Sequence, residues 1–219
     1  MTETEKFKLA NILNAIIIPI ILVLLIYVLA VYVNPNGPNH VLGVSGLGGT
    51  IGIILTSGFA QMIVLGIPLV LGLLWNKWAG GAAGFIMGGM YYVATAGLYT
   101  GYYASSTPAY SFYGDISMLF YLVNAVIIGY MAGSLSGGST KFKRMLGAGL
   151  TASIIVAVIQ AYMNYYIALE PARKMAQGSW AVDPVNAFII AFVPGIALGV
   201  IVPIIGKVMT WYGLQPTRH

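Results

Sequence analysis

The chain has 219 residues, of which 59% are hydrophobic and only 7% charged. Soluble domains carry about 25% charged residues, so this composition excludes a surface solvated by water and places the chain in a membrane. It has no cysteine and a net charge of +5: disulfides, thiolate metal sites and cysteine nucleophiles are excluded. The basic residues sit in short loops, so the charge reads as membrane topology rather than attraction to nucleic acid, and no nucleic-acid partner is expected.

The first predicted span covers 9–33, an uncharged run after MTETEKFK. It is longer than the ~7–15 residue apolar core of a signal peptide, so it is read as a retained helix. Pro19 is tolerated inside a helical bundle. The turn NPNGPNH (34–40) ends it. The apolar stretch 41–75 exceeds the ~20 residues of one crossing. A tilted helix over 49–75 fits, with glycine-rich 43–49 as an entry segment, and a re-entrant 43–56 stays open. Trp75 and Trp78 flank Asn76 and Lys77, as in an interfacial aromatic belt. A third span covers 78–98, followed by a tyrosine-rich loop at 99–114 and a fourth span at 115–135. The basic loop 137–144, a fifth span at 145–169, the loop 170–184 and a sixth span at 185–212 complete the chain. The expected fold is all-α, one domain over 1–219 with six transmembrane helices.

The distribution of charge orients this bundle. With the N-terminus cytoplasmic, Lys6, Lys8, Lys77, Lys141, Lys143, Arg144, Lys207 and Arg218 lie inside, and Arg173 and Lys174 outside. Positive charge concentrates on the cytoplasmic side of membrane proteins. Adding or losing a span scrambles the bias, so both termini are placed inside, in a multi-pass protein of the cell membrane. The halves 1–110 and 111–219 do not align, which gives no support to an inverted-repeat transporter.

Three groups of residues stand out. Gly80, Gly84 and Gly88 are four apart on one helical face. Such faces let helices approach closely in lipid, either within this bundle or as a docking surface for another subunit. Tyr91, Tyr92, Tyr103 and Tyr110 belong to a crowd of tyrosines around the loop 99–114. They are either an interface belt or a lid over a small ligand, hinged at Gly97 and Gly101. The third group is the amides within the spans, notably Asn124, Gln160 and Asn164. A buried amide costs several kcal/mol unless paired, so each needs a partner helix or a ligand. Asp115 either starts the fourth helix, where an acid suits the dipole, or touches that ligand.

Other chemistries find little support. All five acids lie outside mid-span positions, which argues against ion-coupled transport. His40 and His219 are the two histidines, so neither a haem nor a zinc site built by this chain alone is expected, and no metal or other cofactor is called for. GVSG (43–46) matches the serine motif of rhomboid proteases only superficially, because no later histidine supplies the base. With no nucleophile, acid pair or metal set, an enzyme is not expected.

Three stretches, WNKWAGGAAGFIMGGMYY (75–92), AVIIGYMAGSLSGGSTKFKRMLGAGL (125–150) and AFIIAFVPGIALGVIVPIIGK (187–207), give the chain a likeness over about a third of its length. With six helices and both ends inside, it resembles the S components of energy-coupling factor transporters. Those small membrane proteins capture vitamins or metal ions from outside and work with a separate ATPase module. The resemblance implies a site in the outer loops and the outer halves of the helices. It carries over no individual contact, because the family's binding residues vary with substrate. Where many members have alanines four apart in the first helix for docking, this chain has Ala10 and Ala15 with Asn14 between them.

The sequence therefore supports two functions. The first is a substrate-capturing membrane subunit of a small-molecule transporter, with Tyr91, Tyr92, Tyr103 and Tyr110 packing on the ligand and Asp115, Asn124, Gln160 and Asn164 orienting it. The alternative is a non-catalytic accessory subunit of a larger membrane complex, such as a respiratory or oxidase assembly. Both imply other membrane subunits and the lipid bilayer as partners.

Overall fold

The computed structural model describes residues 20–21, 24–25, 28, 60–103, 116–167 and 184–212, and every regular element among them is helical. Five long elements are α1 (Ala60–Leu74), α2 (Lys77–Tyr103), α3 (Ile116–Ser136), α4 (Phe142–Tyr162) and α5 (Pro184–Trp211). A π-helical turn, Met163–Ile167, continues α4. Of the expected first span, residues 20, 21, 24, 25 and 28 are described and helical.

Local chemistry sets the ends of these helices. The turn between α1 and α2 is closed by Asn76, whose Oδ1 accepts a hydrogen bond of 2.8 Å from the Ala79 amide. Asparagine suits this position because its short side chain satisfies an amide that has no partner in the helix. Gly137 and Gly138 take positive φ angles of 53° and 72° and turn the chain out of α3, a conformation that costs glycine little. Pro68 sits inside α1, and Pro194 and Pro203 inside α5. Each removes an amide donor, a loss that neighbouring helices compensate inside membranes.

Three described helices are long and apolar enough to cross a membrane: Leu119–Ser136, Phe142–Ile167 and Ala191–Trp211. Met62–Leu74 is apolar but shorter. The outward face of α5 exposes Ile189, Val193, Ile196, Val200 and Ile204. A continuous apolar face of this kind suits hydrocarbon rather than water. The protein is therefore helical, with a composition and surface suited to a membrane.

Consecutive helices pack antiparallel. Gly133 lies against Lys77, Gly129 against Gly80, Ala125 against Gly84 and Leu122 against Gly88, so α2 and α3 run past each other along the whole glycine ladder. A Cβ at Gly84 would collide with the Ala125 carbonyl, and one at Gly88 would lie 2.6 Å from Leu122 Cα. The ladder is filled by α3 of the same chain. The α4–α5 pair is similarly close, since a Cβ at Gly199 would lie 2.9 Å from Leu150 Cα. Small residues matter here because dispersion between close backbones, not hydrophobicity, holds helices together in lipid. Leu69, Leu73, Ile128, Met145, Leu198 and Val202 fill the space between α1, α3, α4 and α5.

Two boundaries differ from the sequence reading. α2 runs on through Tyr103, so the loop placed at 99–114 begins later, and Gly97 and Gly101 are helical rather than hinges at a loop. No proline or charge interrupts Ala94–Tyr103, and glycine is common within membrane helices. α4 begins at Phe142 rather than 145, since the turn at Gly137 and Gly138 needs few residues to reverse the chain.

The antiparallel order brings basic side chains together. Lys207 Nζ donates to the Thr140 carbonyl at 3.2 Å, and Gly206 packs beside Leu74 and Met145. Lys77, Lys141, Lys143, Arg144 and Lys207 therefore share one end of the bundle, and the described residues contain no acid.

Candidate functional site

The polar residues that face inward begin with Asn124, only 1% exposed on α3. Its Nδ2 donates a 2.6 Å hydrogen bond to Gln160 Oε1 on α4. Antiparallel packing of α3 and α4 puts these two amides at the same depth. Asn124 Oδ1 has no partner among the described residues, and neither has Ser153 Oγ. Ser153 is also 1% exposed. It lies seven residues before Gln160, two helical turns along the same face.

Ser153 and Gln160 line a cavity enclosed by α1, α3, α4 and α5, with Tyr91 of α2 also on its wall. Its other walls include Met62, Tyr121, Val156, Pro194 and Leu198. Tyr91 and Tyr121 meet edge to face, with ring centroids 5.5 Å apart and planes at 68°. Pro194 gives the carbonyl of residue 190 no amide donor. Gly195 lets α4 and α5 converge there, since a Cβ on it would lie 2.9 Å from Ala157 Cβ. The cavity occupies the half of the bundle away from the basic end, and its lining carries no charge.

Its volume is about 40 Å³. One water needs roughly 10–15 Å³ on this measure, and an apolar cavity that accepts benzene is about 150 Å³. The space therefore admits a few waters or a very small solute. A ring-sized molecule fits only if side chains such as Tyr91 or Tyr121 move.

The structure brings together Tyr91, Asn124 and Gln160 of the residues singled out in the sequence. Tyr92, the next residue on α2, is half-buried and is not among the lining residues. Tyr103 is helical and Asn164 lies in the π-helical turn, and the side chains of both are outside the described residues. Tyr110 and Asp115 also lie outside them. Gly80, Gly84 and Gly88 form the α2–α3 seam and do not reach the cavity.

Two polar lining residues escaped the sequence reading, Tyr121 and Ser153. The signal for Ser153 was available: 153, 156, 157 and 160 follow the i, i+3, i+4, i+7 pattern of one helical face. Tyr162, Tyr165 and Tyr166 form a separate ring cluster at the far end of α4. Tyr162 and Tyr166 are exposed there, as befits an interfacial belt. No protein-family model matches this chain, and neither a curated protein nor a solved structure matches it.

Proposed function

We propose that this protein is a membrane-embedded, non-catalytic capture subunit for a small uncharged solute. It sits in the cell membrane as a six-helix, multi-pass protein with its basic end in the cytoplasm, and the solute enters from the opposite side. One observation carries this reading: a neutral cavity in the half of the bundle away from the basic end, with Gln160 on its wall beside the Ser153 hydroxyl, which has no partner among the described residues. A buried polar atom left unsatisfied costs about 1–3 kcal/mol, so the site calls for an occupant that bonds to it. The likeness to S components of energy-coupling factor transporters supports the same half of the molecule, and it implies an energy-supplying partner on another chain.

The accessory-subunit alternative draws on apolar faces, small-residue docking surfaces and interfacial tyrosines, and of these the Gly80–Gly84–Gly88 face is occupied by α3 of the same chain. A docking partner would need a different surface. The capture reading is tested by purification in mild detergent followed by native mass spectrometry. The expected result is a retained small neutral molecule whose retention is weakened in Ser153→Ala, a variant that keeps the Asn124–Gln160 bond and the fold. Retention unchanged in that variant, or no retained molecule in the parent protein, overturns the reading.

A further inference from the structure

We infer that the basic end of the bundle holds an anionic phospholipid headgroup at the turn between α3 and α4. Lys141, Lys143 and Arg144 fall within four residues of chain and are all exposed. Lys207 of α5 is drawn to the same turn by its 3.2 Å bond to the Thr140 carbonyl. Arg144 lies back over the turn, with Nε donating to the Leu135 carbonyl at 3.4 Å. Lys77 is engaged elsewhere, 5.6 Å and 5.8 Å from the ring centres of Trp78 and Tyr130. Lys141 and Lys143 have no side-chain partner among the described residues.

These cations stand where positive charge is least welcome. The N-terminus of α4 carries the positive end of a helix dipole and amides without helical partners. Its first turn has no acid, and Lys141 makes no side-chain cap. No described residue is a carboxylate. A phosphate group answers both the cations and the positive end of the helix dipole.

The surroundings select a lipid over a soluble anion. Gly147 follows Lys143 by one turn on the same face, and nothing lies within 4 Å of where its Cβ would be. Beyond that open position the exposed stripe continues through Thr151, Ile154 and Val158. Phe142 and Trp211 are exposed near the same end, and aromatic residues of this kind sit at headgroup level. A headgroup over Lys141 and Lys143 therefore has an apolar track beneath it for its acyl chain.

The test is a native mass spectrometry titration of the detergent-solubilised full chain with phosphatidylglycerol, phosphatidylcholine or inorganic phosphate. Phosphatidylglycerol is expected to bind preferentially. Each neutralised side chain should weaken it about fivefold, the effect of one surface cation near an anionic leaflet. The exposed single variant Lys143→Gln reads this directly, and Lys141→Gln, Lys143→Gln, Arg144→Gln together should lose on the order of 100-fold. Lys141→Arg with Lys143→Arg should retain binding. Equal affinity for the two lipids, no loss in the glutamine variants, or displacement of phosphatidylglycerol by inorganic phosphate overturns the inference.

Discussion

At Asn124 the amide nitrogen is paired, and the oxygen has no partner among the described residues. Its 2.6 Å bond to Gln160 joins α3 to α4 in the bundle interior. Asn124→Ala leaves Gln160 without that partner and should destabilise the protein by about 1–3 kcal/mol. Thermal unfolding in detergent of Asn124→Ala, Gln160→Ala and the double variant isolates the bond itself. Its coupling should be about 0.6–1.7 kcal/mol, the range of hydrogen bonds between membrane helices. Additive losses would show that the bond does not hold the helices together. Ser153 behaves oppositely: its hydroxyl is buried with no partner among the described residues, so Ser153→Ala should be neutral or stabilising in the ligand-free protein and weaken any retained solute. Asn124 and Gln160 were visible in the sequence as amides inside apolar spans. Their pairing was not, because it depends on the relative depth and rotation of two helices.

At the scale of the element, glycines of similar sequence appearance have opposite roles. A Cβ on Gly84 meets the Ala125 backbone, whereas one on Gly147 meets open space. Gly84→Ala should force α2 and α3 apart and cost about 1–3 kcal/mol, as overpacked sites do. Gly147→Ala should be neutral or stabilise by up to about 1 kcal/mol, the difference in helix propensity. Unfolding midpoints of the two variants in one detergent check the contrast; equal midpoints would contradict the described seam. The four-residue glycine spacing announced a close helix contact. It did not name the neighbour, since a small-residue face packs equally well on its own chain or on another.

At the scale of the whole molecule, the described helices have a basic end and a cavity in the opposite half. This separation makes the orientation testable, and the absence of native cysteine removes background labelling. Thr140→Cys should resist a membrane-impermeant maleimide in intact cells and react after permeabilisation. Ser106→Cys, in the loop expected outside, should react in both conditions. The reverse pattern would invert the proposed direction of capture.

The sequence by itself determined that the chain is helical and suited to a membrane. So few charges cannot clothe a water-soluble surface, and uncharged apolar runs separated by glycine, proline and basic turns leave hydrogen-bonded helices as the way to satisfy the backbone in lipid. It also set the expectation that basic loops alternate with the spans. Only the tertiary structure decided that α2 continues through Tyr103, that the glycine ladder faces α3, and that Ser153, Tyr121 and Gln160 from two helices share one cavity with Pro194. The physical reason is common to all three. Helical periodicity assigns residues to a face, but which face meets which is set by close packing among several helices at once, and no single stretch of chain contains that information.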